Sequence, residues 1–110
     1  MAKARVYSRY SAEAAALLGK QIRLGRKQRR WSELELAGRA GISRATLQKI
    51  EKGDLSCAIG LVFELAVLTG TPLFADDSTT LAAQHERLDD KLALLPRAVR
   101  GSGKVVDDDF

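Results

Sequence analysis

Aromatic side chains fill only 5% of this 110-residue chain, and its two prolines, Pro72 and Pro96, leave long stretches uninterrupted. Cysteine occurs once, as Cys57, which excludes an internal disulfide and fits a reducing compartment. No long stretch alternates apolar and polar residues in the period-2 manner of strands, so an all-helical domain is the default. The most apolar run, Ile59–Leu68, contains Glu64 and stops before Gly70 and Pro72. It falls far short of the roughly 20 residues that span a bilayer. The opening MAKARVYSRYS has charge but no apolar core, so no signal peptide is expected and the location expected is cytoplasmic. The one histidine, His85, has no Cys, His or carboxylate pattern around it that makes a metal site. Catalytic residues, a metal and a cofactor are all expected to be none, since no Ser/His/Asp arrangement or phosphate-cradling loop emerges.

What is present is a helical chain with 45% apolar and 29% charged residues, enough for one small core and tails. The net charge of +4 is unevenly laid out. Residues 1–30 carry nine Lys or Arg against one Glu, whereas residues 56–92 carry two basic and six acidic groups. A basic front and an acidic rear point to one polyanion-facing surface and a separate face for something else.

Residues 1–11 read as an extended arm, followed by a first helix over about 11–30 with Leu17, Leu18 and Ile22 as its buried stripe. Gly25 stands where a larger residue normally packs, which predicts a loose corner or one covered by another segment. Ser32-Glu33-Leu34-Glu35 is a capping box, with Trp31 before it as a staple, and the helix it opens stops at Gly41. Ser43 caps a third helix over 44–52, ended by Gly53, with Leu47 and Ile50 inward. A fourth, over about 57–69, is apolar nearly all round and predicts burial on more than one side, partly by a second subunit. Asp76-Asp77-Ser78 is expected to cap a fifth helix over 79–94, whose Leu81, Leu88, Leu92 and Leu95 make an amphipathic row. The domains expected are therefore an arm (1–11), a helical domain (12–75), a C-terminal helix (76–96) and a flexible tail (97–110) containing Gly101-Ser102-Gly103.

The segment 32–53, SELELAGRAGISRATLQKIEKG, holds two short capped helices joined by a Gly-led turn. Small residues at Ala37, Ala40 and Gly41 let such a pair cross steeply, and the second helix then projects far enough to enter a major groove about 12 Å wide. In Leu36-Ala37, Gly41, Ser43, Thr46, Leu47, Ile50, Glu51 and Gly53, and backward in Gly19, Ile22 and Arg26, the chain resembles the Cro/repressor-type (XRE) helix-turn-helix family. That resemblance implies a five-helix, lambda-repressor-like, all-α fold and sequence-specific binding to double-stranded DNA. It places Arg44, Ala45 and Lys49 at base-reading positions, with Ser43 and Gln48 beside them, and Thr46 toward a phosphate or the first short helix. Arg26 and Glu51 match a partly buried structural ion pair, while Arg23 and Lys27 remain as phosphate contacts. Where the family usually has a phosphate-bonding Gln, this chain has Glu33, so Ser32 or the first amides of that helix must serve instead.

VYSRYS, the acidic fifth helix, LLPRAVR and VVDDDF resemble HipB-type antitoxins. This implies a HipA-type serine/threonine kinase toxin as partner, with Val105, Val106, Asp107, Asp108, Asp109 and Phe110 as the partner-binding segment; the apolar fourth helix and the shortness of the reading helix predict a homodimer on a palindromic operator. A stand-alone dimeric repressor, and an interaction module that has lost DNA binding, remain the alternatives.

Overall fold

The computed structural model describes residues 5–74 and 80–97. Among them are five helices and no strand: α1 Arg9–Gln28, α2 Glu33–Ala40, α3 Arg44–Glu51, α4 Ile59–Leu68 and α5 Leu81–Ala93. The protein is all-α, and no helix among the described residues is long and apolar enough to cross a membrane. The chain divides into two compact units, Met1–Leu73 and Phe74–Phe110.

In the first unit α1 packs on α3, and α2 packs on both α3 and α4. Ile22, Leu36, Ala37, Leu47, Ile50 and Leu65 form the core, with Trp31, Ile42 and Leu68 among the side chains leaning on it. Of the stripe expected on α1, Ile22 is buried and Leu18 packs on the core, but Leu17 is 59% exposed, and Gly19, Gly25 and Arg26 are the other buried positions. Two glycines there are interface residues. A Cβ on Gly19 would stand 2.6 Å from the carbonyl oxygens of Ile50 and Glu51, and one on Gly25 would overlap the Thr69 carbonyl. The corner at Gly25 is thus neither loose nor vacant, because the end of α4 fills it. Arg29 ties the same joint, its Nη1 donating to the Thr69 carbonyl at 2.7 Å.

Helix boundaries follow local chemistry. α1 starts two residues before the expected position because Ser8 caps it, accepting from the Ser11 amide. α4 starts at Ile59 rather than Cys57, since Asp54 accepts from the amide and hydroxyl of Ser56 and holds the preceding residues in a turn. The capping box at Ser32 and the left-handed Gly41 (φ 71°) bound α2 as the residues require.

In the second unit, Thr80 caps α5 by accepting from the Ala83 amide. This displaces the cap expected at Asp76-Asp77-Ser78, which lies outside the described residues. The side-chain Nε2 of Gln84 donates to the Phe74 carbonyl at 3.0 Å. Leu81, Leu88, Leu92 and Leu95 are all exposed.

Candidate nucleic-acid interface

The α2–α3 pair is built by caps at both starts and apolar contacts between. The Ser32 hydroxyl accepts from the Glu35 amide at 3.0 Å, and the Glu35 carboxylate accepts from the Ser32 amide at 3.2 Å. Ser43 repeats this at α3, accepting from the Thr46 amide at 3.1 Å and donating its hydroxyl to Thr46 Oγ1 at 3.0 Å. With Leu47 and Ile50 fully or nearly buried, α3 is left with Arg44, Ala45 and Lys49 exposed and Thr46 and Gln48 half-buried.

Beneath α3 lies a buried ion pair. Arg26 Nε and Nη2 donate to the two carboxylate oxygens of Glu51 at 2.8 and 3.0 Å, and Nη1 donates to the Trp31 carbonyl at 3.1 Å. Both side chains are under one-tenth exposed. The hydrogen bonds to Glu51, stronger than the opposing desolvation, raise the Arg26 pKa above its ordinary value. This fork fixes α3 to α1 and leaves Arg26 no freedom to reach a phosphate.

Glu33 is the residue whose partners the sequence did not reveal. Its Oε1 accepts from Gln48 Nε2 at 2.9 Å and from Arg44 Nε at 2.8 Å. These bonds, Gln48 first and then Arg44, hold its carboxyl below the usual glutamate value. The partners lie 15 and 11 residues away, so only the packing of α2 against α3 brings them together. A polar cleft of about 240 Å³ joins Glu33 and Gln48 to Arg23, Glu51 and Lys52. Arg23 therefore shares a surface with Glu33 and Gln48, while Lys27, one turn on, is exposed on α1. Lys52 is a cation of this surface that sequence reasoning gave no role.

Around Trp31 the surface is differently occupied: Arg39 stacks on its ring with the guanidinium carbon 4.3 Å from the centroid, and Arg29 approaches at 5.8 Å. Among the described residues, no three His, Cys, Asp or Glu side chains come together as metal ligands. Val105, Val106, Asp107, Asp108, Asp109 and Phe110 lie outside the described residues.

The family model described as Helix-turn-helix matches residues 22–74, from the buried Ile22 of α1 to Phe74, just past the first unit. That match supports a regulator of the XRE helix-turn-helix type, a DNA-binding rather than an enzymatic family, and with it sequence-specific binding to DNA. No curated protein and no solved structure matches the chain.

Proposed function

We propose that this chain is a cytoplasmic operator-binding repressor that acts as a two-fold dimer and as the antitoxin of a HipA-type kinase toxin, repressing the operon the two share. The observation that carries the DNA-binding part is the split of α3: Leu47 and Ile50 are locked inward while Arg44, Ala45 and Lys49 stand exposed on one helix. A helix supported from behind in this way offers its N-terminal residues to base edges in the major groove. Arg44 reads guanine O6 and N7, Ala45 meets a thymine methyl, and Arg23 and Lys27 take phosphates. Ser32, Ser43 and Thr46 bond the backbone near the two helix starts, and Lys49 reaches the bases or phosphates one turn along.

Titration with operator and random duplexes tests this. Arg44→Ala is expected to cost about 1–3 kcal/mol and to relax preference at one base pair, whereas Arg23→Ala or Lys27→Ala weakens all sequences alike and lowers the salt slope. An unchanged specific-to-nonspecific ratio in folded Arg44→Ala would mean that another face reads the bases.

The dimer rests on apolar surface left open in the first unit. Ile59 and Val67 on α4 are each 68% exposed, two turns apart on one face. On a helix apolar at nearly every position, these side chains are surface that a second copy would cover. Half-sites about 34 Å apart are then expected. Light scattering at micromolar concentration should give twice the chain mass, and Ile59→Asp with Val67→Asp should halve it; a wild-type monomer with and without DNA ends the idea.

The antitoxin assignment rests on the resemblance of VYSRYS, LLPRAVR and VVDDDF. A stand-alone dimeric repressor needs none of those segments and is the second reading. The carboxylate of Glu33 against Arg44 is the observation that favours a third, a module using this face for protein rather than DNA. The neighbouring reading frame separates the first two.

A further inference from the structure

We propose that Glu33 is a positioning residue for base recognition: it holds Arg44 and Gln48 from behind and lowers affinity for DNA that lacks the matching base. The inference rests on reading α3 as the helix that enters the groove.

The geometry comes first. Arg44 and Gln48 are four residues apart, so they share one face of α3. Both donate to the same oxygen, Glu33 Oε1, at 2.8 and 2.9 Å. The bond to Arg44 uses Nε–H. A guanidinium has five N–H donors in a rigid fork, so this leaves the Nη1 and Nη2 edge for an end-on, two-bond contact with guanine. Gln48 gives Glu33 one N–H and retains its carbonyl oxygen and a second N–H. Two long side chains that otherwise roam are thereby set before DNA arrives, which removes part of the ordering cost of binding.

Charge supplies the second half. Nonspecific binding is almost entirely attraction to phosphates. A carboxylate among Arg44, Arg23 and Lys52 opposes that attraction on every sequence. On the correct site, the Arg44–guanine fork compensates; on others nothing does. The charge of Glu33 therefore weakens every complex, and only the matching site recovers the loss through the pre-set Arg44, which is how a repulsive element coupled to an attractive one sharpens specificity.

Selection from a randomised duplex library with the full chain, followed by titration in graded salt, tests this. Glu33→Gln removes the charge, and Glu33→Asp keeps the charge while drawing the carboxylate back by one methylene. For Glu33→Gln, nonspecific affinity should rise about tenfold, the log–log salt slope should steepen by about 0.9, and preference at the base pair read by Arg44 should fall about tenfold. Glu33→Asp should lose that same preference and leave nonspecific affinity near the wild-type value. In an Arg44→Ala background, Glu33→Gln should no longer alter the profile at that base pair. Unchanged profiles in both single variants, with thermal melts showing intact folds, overturn the positioning role whatever happens to nonspecific affinity. A wild-type chain that selects no sequence overturns the DNA reading instead, and this inference with it.

Discussion

A guanidinium less than one-tenth exposed is tolerated only where its hydrogen bonds and charge are both answered, and Arg26 meets that condition through Glu51 and the Trp31 carbonyl. Removing one partner leaves the other charge buried and uncompensated. Glu51→Ala should therefore cost about 3–5 kcal/mol, a large fraction of the stability of a small domain, measured by urea denaturation. Replacing both residues with apolar ones of similar volume, Arg26→Met with Glu51→Leu, should recover most of that loss. A double variant as unstable as the single one would show that the pair does more than satisfy itself. Residues of this kind were legible in the sequence only through the family resemblance, because nothing in the spacing of positions 26 and 51 announces contact. Glu33 was legible as a departure, its role as an acceptor for Arg44 and Gln48 was not: that contact exists only once α2 and α3 have packed.

At the scale of elements, α1 to α4 end in the same way. An amide just beyond each helix bonds back across the last turn: Trp31 to the Arg26 carbonyl, Ile42 to Ala37, Asp54 to Lys49 and Thr71 to Ala66. The residue before that amide is left-handed in each case: Gly41, Gly53 and Gly70 in α2 to α4, and Arg30, at φ 60°, in α1. A side chain in that conformation costs roughly 1 kcal/mol. Arg30→Gly should accordingly raise the denaturation midpoint, by an amount equivalent to about 0.5–1 kcal/mol, without changing the m-value. A lower midpoint would mean that the Arg30 side chain contributes more to the fold than its backbone costs. These glycines and the Ser32 and Ser43 caps are why α2 and α3 could be read from sequence almost to the residue. The first turn of α1 and the exposed Leu17 could not be read, because two serines compete for that cap and two leucines for the stripe. Only the crossing with α3 and α4 at Gly19 and Gly25 decides which face turns in.

For the whole molecule, the division at Leu73 separates a helix-turn-helix unit from one carrying the leucine row of α5 and the segment VVDDDF. A regulator that also binds a kinase needs two such surfaces, one for DNA and one for protein. On the proposed antitoxin reading, Val105 and Val106 would add to a sheet edge of the partner, Asp107–Asp109 would meet basic groups and Phe110 would fill an apolar pocket. Deleting residues 101–110 is therefore expected to leave operator affinity within a few-fold and to weaken the complex with the kinase-like partner. The competing arrangement has Val105-Val106 pairing within the dimer, either with its own copy or with Val6-Tyr7. The two differ in what deletion does to the free protein. A partner-facing segment leaves the melting temperature unchanged, whereas a dimer-facing one lowers it and makes it depend more steeply on concentration. Calorimetric titration of the partner into full-length and shortened chains, with thermal melts at several concentrations, reads both outcomes at once. Unchanged affinity for the partner in the shortened chain rules out the partner-facing assignment, and a concentration-dependent drop in melting temperature moves the segment into the dimer.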